Sequence, residues 1–268
     1  MDIRREDGVA LIVALMATML MTALGVALIL TTSSETMITA NYRNGQEALY
    51  AADAALERAM DDILTVPDWN NLLNGTTQSA FIDGAPSGTR SLPDGTQIDL
   101  SQLLSLANCG KVTSCSPGDL TANLTGSRPW GANNPVWQLY AYNRLDAIVP
   151  SGTVNSQYYV VVLVADDPSD NDDDPTHDGL GPAPEFDQTK PNPGLGVLSL
   201  RAEAFGPRGA HKVIEMTVAK TDTTNLERGY TGQRGQDEQN RRARKAAVQT
   251  PGKALTQQEM GLATGGIH

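Results

Sequence analysis

Val9 to Leu30 reads VALIVALMATMLMTALGVALIL, 22 residues without one charged side chain. At about 1.5 Å per helical residue the run reaches roughly 33 Å, enough to cross a hydrocarbon layer of about 30 Å. The helical pattern does not stop at Leu30. It continues through MITANYRNGQEALYAADAALERAMDDIL, so a single helix is expected from Val9 to about Leu64, lipid-soluble in its first half and amphipathic in its second. Val66-Pro67 ends it, because proline disfavours helical geometry in the residue before it.

The second half carries one apolar stripe: Ile38, Tyr42, Gly45, Leu49, Ala52, Leu56, Met60 and Ile63 recur every three or four residues, with Glu47, Glu57, Arg58 and Asp61 largely off it. Ala48, Ala51, Ala54, Ala55 and Ala59 hold helix propensity high and let another backbone come close. Such a stripe must pack on the chain's own domain or on other copies of the helix. Ahead of the apolar run, Met1 to Gly8 (MDIRREDG) is short and charged. A secretory signal has a shorter apolar region of about 7–15 residues and then a small-residue cleavage site. Two readings remain for this end: the short cytoplasmic end of a one-pass anchor, or a leader marked by Arg4 and Arg5 and cut directly after Gly8, leaving Val9 as the new terminus.

Together the glycine-ended leader, VALIVAL, TTSSETMITAN and ALYAADAALERA resemble the N-terminal region of PilX-like minor pilins of type IV pili, over roughly residues 4 to 62. The resemblance implies removal of the leader by prepilin peptidase, N-methylation of Val9, residence in the inner membrane with the C-terminal domain periplasmic, and assembly into a surface fibre. It implies other major and minor pilins as partners, with a tip adhesin as a further one. It also implies an α+β pilin-like fold, the second half of the helix packed on an antiparallel β-rich head. One departure stands out: most pilins carry glutamate at the fifth mature position, and Val13 is there instead. In the fibre that carboxylate neutralises a neighbour's N-terminal amine, and an unpaired charge in an apolar core costs on the order of 2.5–3.5 kcal/mol even on gentle insertion scales. A subunit without the acid suits the tip or the priming complex. The K-type pseudopilin of type II secretion resembles the same pattern, and a bitopic membrane-anchored periplasmic binding protein is a third reading.

The remaining chain divides, as read, into a β-rich head over residues 66–225 and a polar tail over 226–268, after the leader (1–8) and helix (9–65). The net charge of −11 is uneven: from Leu226 onward seven Lys/Arg face four acids, a net of +3, so the preceding chain carries −14. An acidic body argues against nucleic-acid binding, which needs a basic face. Residues 67–135 are rich in Gly, Pro, Asn, Ser and Thr and read as loop, with a short helix over Ile98–Ala107. Cys109 and Cys115 read as a small disulfide loop in an oxidising compartment, with two unpaired thiols as the alternative. Val136–Ala147, Tyr158–Ala165, Gly196–Phe205 and Lys212–Ala219 read as four antiparallel strands with one face on the helix stripe, the last two joined by Gly206-Pro207-Arg208-Gly209. The tail reads as disordered, apart from one possible short helix over Asp237–Val248.

Between the second and third strands lies DDPSDNDDDPTHDGLG, in which Asp170, Asp172 and Asp174 share the alternate spacing that wraps oxygen ligands around calcium, with Asp178 as a further donor. An EF-hand is excluded, since Pro175 stands where glycine is required and Gly181 where the bidentate glutamate belongs. A solvated acidic loop and a calcium site of another type both remain open. No G-x-S-x-G, P-loop or H-E-x-x-H occurs, and His177, His211 and His268 are scattered, so no catalytic residues are assigned and a non-enzyme is expected.

Overall fold

In the computed structural model, residues 6–122, 128–149, 156–168, 174–178, 196–220 and 226–228 are described, with the backbone alone for 6–8 and 226–228. The chain divides into two units, Met1–Gln46 and Glu47–His268. In chain order the elements are α1 (Glu6–Leu64), α2 (Asn70–Leu73), a hairpin of β1 (Thr89–Ser91) and β2 (Gln97–Asp99), α3 (Leu100–Cys109), α4 (Pro117–Leu120), β3 (Gln138–Arg144), α5 (Leu145–Ile148), β4 (Tyr159–Asp166), β5 (Val197–Gly206), β6 (Ala210–Lys220) and β7 (Leu226–Arg228). The five later strands form one antiparallel sheet in the order β3-β4-β5-β6-β7.

The second unit is built around β4, whose eight residues are all buried. Successive side chains of a strand point to opposite faces, so a run that is apolar throughout must be covered on both sides. Val160, Val162 and Val164 face a core that includes Ala48, Ala52, Leu56 and Ile63 of α1. Tyr159, Val161, Leu163 and Ala165 face a second core with Leu92, Leu100, Leu103 and Trp137. The sheet therefore has α1 on one face and α3 with the β1–β2 hairpin on the other, where the sequence suggested cover on one face alone. The short apolar stretch at 98–107 becomes a helix only from Leu100, because Asp99 is its N-cap: Oδ1 accepts from the N–H groups of Ser101 (2.8 Å) and Gln102 (3.1 Å). Gly110 closes that helix in the left-handed conformation at φ 70°.

The apolar stripe of α1 is only partly covered. Ala48, Ala51, Ala52, Ala55, Leu56, Ala59, Met60 and Ile63 are buried, whereas Ile38, Tyr42 and Leu49 are exposed. Periodicity marks a face and does not tell how far the partner surface extends. The first three residues of the stretch read as polar tail form β7, paired with Val218–Lys220 of β6.

At the opposite edge, β3 carries a bulge at Tyr140: Leu139 pairs with Leu163, and Ala141, not Tyr140, pairs with Val162. The extra residue turns both Tyr140 and Ala141 toward α1. The outer edge of β3 is occupied by residues 78–83. Ser79 N–H donates to Tyr140 O (2.9 Å), Tyr142 N–H to Phe81 O (3.2 Å) and Asp83 N–H to Tyr142 O (2.8 Å). An open strand edge is a template for unwanted pairing, and this segment removes one. Just beyond it, the Arg90 guanidinium gathers the loop by donating to the carbonyls of Asp83 (2.8 Å), Ser87 and Thr89 (3.2 Å each) and Ala85.

β5 and β6 join through Pro207–Gly209, with Arg208 (φ 59°) and Gly209 (φ 73°) in the left-handed region. Gly206 is required for space: a Cβ there would lie 2.0 Å from Cε1 of Tyr158.

Candidate functional site

Within the first unit, every residue from Val9 to Leu30 except Gly25 is exposed, and none of the apolar window is buried inside the protein. Val9 and Val13 are 61% and 60% exposed. Threonine hydroxyls within and beyond this segment are satisfied by the helix itself: Thr18 donates to Leu15 O (2.9 Å), Thr22 to Met19 O (2.8 Å) and Thr31 to Ala27 O (2.9 Å). With no polar side-chain group left over there, the helix is chemically suited to an apolar surround. It is long and apolar enough to cross a membrane, which fits the anchor expected from the sequence. The Gly8–Val9 bond lies in the first turn of α1, while Arg4 and Arg5 lie outside the described residues.

In the second unit, polar bonds hold α1 against the sheet. Tyr158 OH donates to Glu47 Oε2 at 3.2 Å. Asp62 Oδ2 accepts from Ser79 Oγ and from Tyr140 OH, the latter at 3.3 Å, with Arg58 3.9 Å from its other oxygen. Burial, reinforced by the Asp62 charge, pushes the Tyr140 phenol well above its usual range, so it acts as a proton donor throughout ordinary pH. Arg58 also lies over the Phe81 ring, 4.5 Å from its centroid. None of these polar partners is visible in the sequence, since Tyr140 reaches Asp62 across 78 residues and through a bulge.

Of the acidic-loop residues, Asp174 and Asp178 are described, and Asp170 and Asp172 are not. Asp174 Oδ1 accepts from Thr176 N–H (3.0 Å) and Thr176 Oγ1 (2.6 Å), while Oδ2 pairs with His177 Nδ1 at 2.7 Å. Burial opposes ionisation of this carboxyl, but the Thr176 and His177 contacts outweigh it and hold it below the usual range. Asp178 is turned elsewhere: its N–H donates to Asn70 Oδ1 and its Oδ1 accepts from Gly196 N–H, each at 2.7 Å. The two carboxylates thus serve separate contacts, and no group of three or more His, Cys, Asp or Glu among the described residues is placed to hold a metal ion.

Cys109 and Cys115 are joined in a disulfide, with Cα atoms 6.0 Å apart. Its loop leads into α4, where Ser116 and Asp119 form a capping box and Lys111 pairs with Asp119 at 2.7 Å. The Lys111 and Ser116 contacts lower the Asp119 carboxyl to about 2. His211 has a structural partner: its Nε2 meets Glu203 Oε2 at 2.8 Å, while Arg201 Nε holds Glu203 Oε1 at 2.7 Å. Arg201 reaches Glu215 as well.

Burial works to raise the Glu203 carboxyl, but the His211 hydrogen bond and the Arg201 charge outweigh it, leaving it below the usual range. A carboxylate depressed by folding contributes stability that is present above its unfolded value, at about pH 4.3, and is lost as pH falls through the depressed one. Glu203→Gln is therefore expected to melt lower than the parent at pH 7, with the gap closing below about pH 4. Parallel melts across that range test this; a gap unchanged down to pH 2 contradicts it.

Residues 7–57 match the family model described as PilX N-terminal. No curated protein and no solved structure matches the chain. The match lies wholly within α1, over the membrane-length segment and the first turns buried against the sheet. Over residues 7–57 the chain is similar to the N-terminal region of PilX-like type IV pilins, and the residues that follow form an α+β unit with an antiparallel sheet.

Proposed function

We propose that this protein is a minor pilin, a structural and assembly subunit of a type IV pilus with no catalytic role of its own. The supporting observation is the coincidence of the family match with an uncharged, exposed, internally satisfied helix from Val9 to Leu30. In this reading prepilin peptidase cuts the Gly8–Val9 bond. The helix holds the subunit in the inner membrane with its head periplasmic, and later sits in the apolar core of the fibre beside other major and minor pilins. After the cut the first carboxylate of the chain is Glu35. With Val13 where an acid would neutralise a neighbour's terminal ammonium, the subunit belongs where no such ammonium is presented, at the priming complex or tip, next to a tip adhesin if the fibre has one. For the acidic loop we propose calcium, with Asp170, Asp172, Asp174 and Asp178 as candidate oxygen donors.

Mass spectrometry of fibres sheared from the cell surface tests the main reading. A chain beginning at Val9 in the sheared fraction supports it. A Val9 start confined to the cell envelope favours a K-type pseudopilin of type II secretion, and an intact Met1–Gly8 segment favours a plain bitopic anchor. The calcium proposal is separate. Millimolar calcium is expected to raise the Tm of the full chain by several degrees, since a ligand at about 100 times its Kd adds about 2.7 kcal/mol; an unchanged Tm returns the loop to a solvated one.

A further inference from the structure

β6 pairs with β5 without interruption from Ala210 to Ala219. On its other edge, β7 covers only Val218–Lys220. Among the described residues, no strand pairs with the outer edge of His211–Met216. That stretch is regular, with no bulge in its register and no proline. It is also apolar on one face, where Ile214 and Met216 are half-buried against the core that includes α1. An edge of this kind is a template for one more strand.

β7 indicates which strand. It runs antiparallel to β6, with Leu226 opposite Lys220 and Arg228 opposite Val218, so the chain leaving Arg228 heads along the open edge. Continued in that register, Tyr230 falls opposite Met216, Thr231 opposite Glu215 and Gln233 opposite Val213. We infer that residues 229–233 (GYTGQ) continue β7 along β6 and close this edge of the sheet. Tyrosine and threonine favour strands, and an aromatic ring opposite Met216 adds cover to the face that meets the core. The pairing ends before Arg234, which falls opposite Lys212, because like charges directly opposite each other destabilise a ladder. A strand from another molecule competes poorly. Arg228 already holds the tail in place, and a tethered partner acts at an effective concentration on the order of millimolar. With residues 78–83 on β3, both outer edges of the sheet are then covered.

Hydrogen exchange read by mass spectrometry, on the full chain in detergent, tests this. In the parent, peptides over 229–233 are expected to exchange about tenfold more slowly than those over 255–268, the effect of two or three ladder bonds. Equal exchange in the two regions overturns the inference. Peptides over 211–217 are expected to exchange about tenfold faster in a chain ending at Arg228. The double substitution Tyr230→Pro with Thr231→Pro, which keeps the tail and its charge, is expected to do the same. Peptides over β4 report in each variant whether the head remains folded. Unchanged exchange over 211–217 in both variants contradicts the pairing. Protection of 211–217 that fades when the parent is diluted shows that a second copy covers the edge, and overturns the assignment to the tail.

Discussion

Gly206→Ala is expected to destabilise the head by about 3 kcal/mol, although only one methyl group is added. The backbone at Gly206 has φ −143° and ψ −174°, an extended conformation open to any residue, so strain at the α-carbon is not the cause. The cause is steric. The new Cβ would lie 2.0 Å from Cε1 and 2.4 Å from Cδ1 of Tyr158, and the ring must leave its seat. Overpacking of this kind costs about 1–3 kcal/mol. Displacing the ring also breaks the bond from Tyr158 OH to Glu47, a hydrogen bond to a charged group worth about 1.5–3 kcal/mol. Tyr158→Phe separates the two contributions, since it removes only the hydroxyl. Urea titrations of the full chain in detergent, followed by tryptophan fluorescence, provide the measurement. In a Tyr158→Ala background the same glycine substitution is expected to cost far less. An equal cost in both backgrounds would show that the ring is not what Gly206 accommodates.

Leu56→Ala is expected to cost about 2–5 kcal/mol. Leu56 is completely buried between α1 and the sheet, and its removal leaves a cavity that rigid strands on one side and a helix on the other cannot fill. Leu15→Ala is the internal control. That side chain is 62% exposed, and its loss should move the unfolding of the head by no more than about 0.5 kcal/mol. If both variants behaved alike, the division of α1 into a free and a packed stretch would be wrong.

The long helix, its proline stop and the four long strands were legible because each rests on a local pattern: an uncharged run, a period of three to four, and β-branched clusters. Elements set by distant partners were not. Thr89–Ser91 and Gln97–Asp99 are too short and too polar to read as strands, and become a hairpin only through pairing and through Leu92 and Ile98 beneath α3. Leu226–Arg228 lacks any strand signature and is recruited by the edge of β6. The stripe on α1 was read as one face, yet where its cover ends depends on the width of the sheet, which helical periodicity does not encode. The uncharged, membrane-length stretch of the candidate site was readable, being a matter of length and charge. The Asp62–Ser79–Tyr140 contacts were hidden, because these residues meet only when segments far apart in the chain come together. The Arg201–Glu203–His211 contacts depend on the register of the β5–β6 hairpin, which the strand pattern alone leaves open.

The five strands of the large sheet follow one another as antiparallel neighbours, so each new strand finds its partner already made. α1 stands outside that local logic. Leu56 is completed early in synthesis, but β4, the strand at the centre of its core, arrives about a hundred residues later. At about 5–20 residues per second the alanine-rich stripe waits on the order of 5–20 s for its sheet. Closing so long a loop makes this docking a late and slow event. During that interval the half-apolar helix has no sheet to cover its stripe, and other apolar surfaces can capture it. Folding of the head is then a race between its own sheet and those competitors.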